Sequence, residues 1–354
     1  MTKLYEEATQ LLKDMGDDDI IQVVQYIRMI KLSKNNDKNK SMKAFEKLQS
    51  FRGSLPKDFD YESVLNEERE KKYGKIKDVK IDLEKSLRNI ERKKQMITIR
   101  EYKKVQSLEE AYELNQKKSN RIIGGMIWLK MEKINVGTAI DLSGLGLDAI
   151  EETEEQFSIG AMVTLRQLEL DAGLAAYTNG AVRESVRHIV GVQLRNLATV
   201  GGSIYSRFGF SDVLTLFLAL NASVELYKGG IVPLAEYATR PYDRDLLVRV
   251  IVPKEPAAFC YQSVRNSQTD FPVLTCAAAK TAEGYRFAIG ARPGKAVRFD
   301  LTPNAAETPE LMADRFAAEV RAAIQTESNL RGSAEYRNHL AGVLVKRAVR
   351  QLEG

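Results

Sequence analysis

Two short stretches of this 354-residue chain carry residue types suited to holding a bulky anion. One is Arg195-Asn-Leu-Ala-Thr-Val-Gly-Gly-Ser-Ile204, followed by Ser211-Asp212; the other lies far upstream, at Ile122-Ile-Gly-Gly-Met126. Paired glycines remove two Cβ atoms and open positive φ, so consecutive N–H groups can converge on phosphate oxygens. Thr199 and Ser203 flank the later pair with hydroxyl groups. One Gly-Gly pair is an ordinary turn between two elements. A second, similar loop in a separate segment points instead to two turns facing one ligand.

Other chemistries find little support. Cys260 and Cys276 are the only cysteines, and His188 and His339 the only histidines. With no C-x-x-C and no His cluster, the chain cannot by itself build an all-protein zinc site or hold an iron–sulfur cluster. Both cysteines sit in apolar, strand-like stretches and read as buried free thiols. His188 falls on an amphipathic helix expected over 181–190, where a lone histidine is a surface or satisfied core residue. There is no G-x-S-x-G elbow and no Ser-His-Asp arrangement. Gly144-Leu-Gly-Leu-Asp-Ala149 matches the G-x-G-x-x-A dinucleotide fingerprint. That fingerprint must open a long helix, whereas here it runs into Glu151-Glu-Thr-Glu-Glu155 and a strand at 157–160, a hairpin context.

The elements that would position the two loops follow from pattern. Residues 1–75 read as a helical extension and 76–95 as a charged linker helix. From Met96 a strand (96–102) leads to a helix at 107–114 opened by a capping-box pair, Ser107 and Glu110. A strand, glycine turn and short helix (120–130) and a strand at 139–142 complete a β-α-β unit with its glycine loop after the second strand. Residues 157–168 read as strand, turn and helix, with Thr164 as cap. A helix at 213–220 and strands at 221–227 and 246–252 follow, separated by a short helical turn at 234–237. The last part, 257–354, reads as three antiparallel strands (259–264, 273–280 and 284–291) with two packed helices (313–324 and 334–352). The fold class is α+β. Charges nearly balance, 53 Lys and Arg against 48 Asp and Glu, for a net of +5, which does not suggest nucleic-acid binding. No run approaches the ~18 apolar residues of a membrane span, and the N-terminus lacks a signal-peptide core, so the expected location is the cytoplasm.

Taken together, the Gly124-Gly125 loop, Ser158-Ile-Gly-Ala161 with Thr164, Arg195 to Ser203, Ser211-Asp212 and Gly290-Ala-Arg-Pro293 make the chain from Met96 onward resemble a known family. It is the FAD-binding subunit of the molybdenum hydroxylases, the medium-subunit family of xanthine dehydrogenase and carbon monoxide dehydrogenase. The resemblance implies a vanillyl-alcohol-oxidase (PCMH)-type FAD-binding domain over 96–256. Its two subdomains, about 96–152 and 153–256, would clamp an extended FAD, and a C-terminal domain at 257–354 would close over the flavin. It puts Ile122, Ile123, Gly124, Gly125, Met126, Ile127 and Trp128 around the pyrophosphate. Thr199, Val200, Gly201, Gly202 and Ser203 would face it, with Ser206 beside them and Asp212 toward the adenosine end. Leu247 and Gln262 would line the flavin ring.

No catalytic acid, base, nucleophile or metal ligand is implied. A molybdopterin-binding partner subunit would oxidise the substrate, an iron–sulfur subunit would pass electrons on, and FAD would give them to an acceptor such as NAD. Three positions depart from the family pattern. Met126-Ile127 replaces a frequent hydroxyl-bearing pair, Ser203 stands where Asn is common, and Gln262 replaces a frequent Lys. Residues 1–75, with their helical stretches and the extended segment at 51–61, resemble small bacterial antitoxin-type proteins that wrap a partner. The alternatives are a helical appendage or a joined neighbouring frame for residues 1–95, and a stand-alone flavin oxidoreductase for the remainder.

Overall fold

A computed structural model describes residues 97–354, so the helical extension, its antitoxin-like reading and the linker lie outside the described residues. The chain opens with β1 (Thr98–Lys104), α1 (Leu108–Asn115), β2 (Arg121–Ile123) and β3 (Asn135–Asp141). The three strands pair in parallel, in the order β1-β3-β2. Parallel neighbours need crossovers; α1 supplies the first, and the glycine turn with a 3-10 turn at Leu129–Met131 supplies the second. Ser107 caps α1 by accepting from the Glu110 amide, while the Glu110 carboxylate accepts from the amide of Gln106, one residue before the cap.

A second sheet is built from β4 (Ile150–Glu152), β5 (Gln156–Gly160), β6 (Ser223–Leu226), β7 (Gly230–Pro233) and β8 (Leu247–Pro253), antiparallel in the order β4-β5-β8-β6-β7. The β4–β5 hairpin follows directly on the Gly144 stretch, so the fingerprint-like sequence opens no helix. Between β5 and β6 lie α2 (Leu165–Leu170), α3 (Ala172–Tyr177), α4 (Ala181–Val186), α5 (Val192–Arg195), α6 (Val200–Tyr205) and α7 (Asp212–Ala219). Thr164 caps α2 through a full capping box with Gln167. The helix expected over 181–190 stops at Val186 and passes into a turn, and Val190 takes a positive φ of 49° that a helix cannot contain. Every residue of α7 is buried, as its all-round apolar sequence requires. A turn, α8 (Leu234–Tyr237), joins β7 to the loop before β8.

The C-terminal part has an antiparallel sheet with packed helices, as expected, but with four strands rather than three: β9 (Ala257–Arg265), β10 (Pro272–Thr281), β11 (Gly284–Gly290) and β12 (Val297–Leu301). The extra edge strand, Val297-Arg-Phe-Asp-Leu301, has the alternation of a half-buried strand and pairs with β11. Helices α9 (Pro309–Ala323) and α10 (Ala334–Glu353) cover one face of this sheet, and α7 packs on the other side of β10 and β11. Cys260 and Cys276 are free and buried, and burial pushes the Cys260 thiol up to about 12. Among the described residues, no helix is long and apolar enough to cross a membrane.

One buried cation ties α10 to this sheet. The Arg337 guanidinium, in a residue 1% exposed, donates to Val273 O (2.9 Å), Glu327 O (2.6 Å), Gly332 O (2.5 Å) and Asn329 Oδ1 (2.6 Å). Replacing it with an apolar side chain leaves three carbonyls and an amide oxygen without that donor. Arg337→Met is expected to cost about 3 kcal/mol, visible as a lower midpoint in denaturant unfolding, and a midpoint equal to wild type would contradict this account.

Candidate functional site

The first turn leaves the C-terminal end of β2. Among the described residues, no backbone N–H from Gly124 to Trp128 donates to a protein acceptor. Met126 takes a positive φ of 55°, which lets the chain turn back toward the 3-10 turn. The result is a run of unpaired donors at a strand end, the backbone geometry that receives anionic oxygens.

The second turn behaves differently. Its N–H groups are already engaged: Val200 N donates to Val163 O (2.8 Å), Gly201 N to Ala161 O (2.8 Å), Gly202 N to Thr199 Oγ1 (3.1 Å) and Ser203 N to Thr199 O (3.1 Å). Expecting these amides to converge on phosphate oxygens therefore needs correction. The β5–α2 turn supplies carbonyls that satisfy the start of α6 from within the protein. The hydroxyls of Ser203 and Ser206 donate back to Thr199 O and Gly202 O of their own helix. Thr199 accepts from Gly202 and donates to no described residue, so its proton remains available.

The glycines are required by close approach. A Cβ on Gly125 would lie 1.8 Å from Leu197 O, one on Gly124 2.9 Å from Thr199 Oγ1, and one on Gly201 2.6 Å from Ala161 O. Three segments from two sheets thus meet backbone to backbone, bringing 122–128 against 197–203. Arg195 anchors the second segment. Its side chain, 6% exposed, grips Glu169 (7% exposed) with two hydrogen bonds of 2.8 and 3.3 Å, and its Nη1 donates to Ile189 O. Burial alone would raise the Glu169 carboxyl, but Arg166 and Arg195 outweigh it and hold the group below its ordinary range.

The remaining expected positions lie apart from the two turns. Asp212, 5% exposed, begins α7 and is committed to Arg265 (2.5 Å) and to the Tyr261 hydroxyl on β9. Burial pushes its carboxyl up while those two partners oppose the shift. Gln262 points to the other side, bonding Gln351 of α10 and lining a cavity of about 470 Å³ with Arg187, His188, Arg265 and Arg347. Leu247 is buried in the core of the five-stranded sheet.

Sequence reasoning missed an aromatic cluster. Trp128, 41% exposed, stacks on Phe271 (5.8 Å between ring centres) and meets Phe208 and Phe210 at 5.6 Å each. Phe271 comes from the β9–β10 turn, so this cluster joins the first turn to the C-terminal sheet. The rings of Trp128, Phe210 and Phe271 line a cavity of about 160 Å³ with Pro293 and Arg331. The Gly290-Ala-Arg-Pro293 stretch reaches the same place: Ala291, at φ 58°, donates its N–H to Gly209 O (2.6 Å). Two phenylalanines around one glycine, Phe208-Gly-Phe210, were the available signal.

Two subdomains whose glycine turns touch, closed by an antiparallel sheet backed with helices, define a dinucleotide-binding flavoprotein fold. Residues 88–255 match the family described as the FAD binding domain in molybdopterin dehydrogenase, and residues 259–352 the CO dehydrogenase flavoprotein C-terminal domain. Over this span the chain belongs to the FAD-binding medium-subunit family of the molybdenum hydroxylases. It is 29% identical over 253 residues to YgfM of Escherichia coli K12, a protein described as uncharacterised, covering 70% of this chain and 94% of that one. It is 26% identical over 265 residues to the nicotine 6-hydroxylase medium subunit of Paenarthrobacter nicotinovorans, covering 69% and 93%. A chain of carbon monoxide dehydrogenase from Hydrogenophaga pseudoflava shares the fold at a TM-score of 0.65 and 22% identity, covering 71% and 96%.

Two outcomes follow from the geometry. Gly125→Ala drives a methyl into a backbone oxygen and is expected to weaken FAD binding at least about tenfold, read by flavin fluorescence titration; Gly191→Ala, at an extended backbone where a Cβ would meet only the flexible Gln193 side chain at 3.3 Å, serves as the glycine control. Glu169→Gln leaves a buried guanidinium unpaired and is expected to cost about 3 kcal/mol at neutral pH. Because the folded carboxyl is depressed, its stabilisation is complete above about pH 4.3 and is lost as pH falls through the lowered folded value. The gap between wild type and variant in thermal melts should therefore close in acid; a gap that stays constant with pH would refute the ion-pair account.

Proposed function

We propose that this chain holds FAD between the Gly124-Gly125 turn and the start of α6, and relays electrons from iron–sulfur clusters on a partner subunit to an acceptor such as NAD. The observation that carries this reading is the run of free N–H groups at Gly124 to Trp128, set directly against the Leu197–Thr199 backbone. An N–H run beside a hydroxyl, in a cradle that a Cβ would fill, suits a diphosphate.

In this reading Ile122 and Ile123 end β2 and aim the turn. The amides of Gly124, Gly125, Met126, Ile127 and Trp128 donate to phosphate oxygens. Thr199 adds its hydroxyl proton. Val200, Gly201, Gly202 and Ser203 shape the opposite wall through packing, since their amides are engaged, and Ser206 continues that wall. Asp212 contributes through Arg265 and Tyr261, which it fixes in the lining of the larger cavity that Gln262 shares. Leu247 supports the wall from the core. FAD, when bound, supplies the two-electron redox chemistry, and the protein supplies position and exclusion of water. The aromatic rings around Trp128 serve that exclusion.

The partner assignment rests on ligand chemistry. The whole chain has two cysteines and two histidines, and both cysteines are buried in β9 and β10. In this reading the cluster ligands come from another subunit, as does the molybdopterin. The relation to a protein named as a medium subunit supports a place in a multi-subunit complex.

Purified full-length chain reconstituted with FAD is expected to stay yellow through gel filtration, with close to one flavin per chain. Colourless protein would overturn the reading. Reduction of the bound flavin by an organic substrate with no partner present would show a stand-alone flavin oxidoreductase instead.

A further inference from the structure

Arg207 is 2% exposed, and Nε, Nη1 and Nη2 all lack a hydrogen-bond partner among the described residues. No other arginine described is buried with its whole guanidinium unpaired. Its backbone takes a positive φ of 47°, a conformation that costs a long side chain free energy. The guanidinium carbon lies 4.0 Å from the ring centre of Tyr237, 4.7 Å from Tyr242 and 5.7 Å from Tyr205. The cage is itself fixed: the Tyr205 hydroxyl donates to Asp243 O (2.9 Å) and the Tyr242 hydroxyl to Ser206 O (2.5 Å). Asp243 is the acidic residue in the cage wall, and it forms no ion pair with Arg207; its carboxylate accepts from Asp245 N instead. The Tyr237 hydroxyl beside the guanidinium is buried too, but it is neutral; aromatic faces attract a cation, yet a desolvated guanidinium with no anionic acceptor calls for an anion.

The position names the anion. Arg207 closes α6, whose first turn carries Thr199 to Gly202, and six helical residues span only about 9 Å. The next residue, Phe208, touches Trp128 of the first turn. Neither Ile122 to Trp128 nor Thr199 to Ser206 contains a lysine or arginine, and Arg195 is neutralised by Glu169. The turns therefore offer a diphosphate neutral donors and no formal charge. We propose that Arg207, held in its tyrosine cage, is the counter-charge for the diphosphate of the flavin dinucleotide. The cage gives the cation no carboxylate partner, so at the far end of α6 it stays an unneutralised charge in surroundings that screen it weakly. This rests on the FAD reading above.

The test uses full-length protein, flavin fluorescence titration with FAD, and competition by ADP and AMP. Removing the charge in Arg207→Met is expected to weaken FAD and ADP by about tenfold or more and to narrow the preference for ADP over AMP. Arg207→Lys, which keeps the charge, should retain that preference. Tyr242→Leu, which opens the exposed side of the cage and leaves the charge in place, should change FAD affinity by less than about threefold. Arg207→Met binding FAD and ADP as wild type does would overturn the proposal while leaving the FAD reading intact. So would a uniform loss of FAD, ADP and AMP together with a lowered melting temperature, the signature of a packing role. If Arg207→Met fails to fold, Arg207→Lys decides: a folded lysine variant without the ADP-over-AMP preference refutes a charge role. Wild type that binds no FAD refutes the FAD reading and this proposal with it.

Discussion

The site depends on a contact in which backbone meets backbone, at Gly125 and Leu197 O. The turn that follows β2 and the segment that follows α5 come together there, backbone oxygen against glycine. A single added carbon is too much, because the obstructing atom is a carbonyl oxygen and not the flexible end of a side chain. The rest of the second subdomain holds that oxygen still. Leu197 follows α5, whose last residue, Arg195, is clamped by Glu169 from α2. The Ala198 carbonyl accepts from Leu165 N at the start of α2 (2.8 Å). The same helix, α2, thus fixes the segment from both ends.

This constraint explains why the two turns divide their labour. A helix start buried against another strand turn must have its amides satisfied. Ala161 and Val163 do that for α6, and Gly201 lets Ala161 come close enough. The price is that α6 has no amides left to offer. The first turn faces no such strand turn and keeps its donors free. Similar Gly-Gly sequences therefore end in opposite states, one rigid and self-satisfied, one polar and open.

Local signals carried the fold far. The Thr164–Gln167 capping box, the glycine turn after β2 and the buried helix α7 are each readable within a few residues. What escaped was made by distance along the chain. Asp212 meets Arg265, and Trp128 meets Phe271, only because the C-terminal sheet docks on α7; no periodicity encodes such pairs. The fourth strand, Val297–Leu301, did show alternation, but a short, half-exposed edge strand gives a weak signal beside a charged turn. The segment after α4 contains a left-handed valine, Val190, a conformation its residue type disfavours and so does not announce. Among the candidate site residues, glycines and their neighbours were legible from their type. The commitment of the α6 amides was not, since the acceptors at Ala161 and Val163 belong to another element.

The C-terminal domain is bound into the site by more than proximity. Gly290 allows the Thr215 hydroxyl of α7 to approach β11, where a Cβ would meet it at 2.1 Å, and Ala291 then turns at positive φ to bond Gly209. Gly209 lies between Phe208 and Phe210, whose rings stack against each other and flank Trp128. From β11 to the first glycine turn there is thus an unbroken series of a backbone hydrogen bond and three ring contacts. Arg337 extends it to α10 through the loop that also carries Asn329 at the small cavity. A displacement of the C-terminal sheet has to move Phe271 and Gly209 together, and both bear on Trp128. The C-terminal sheet therefore bears directly on Trp128, the residue that ends the first glycine turn.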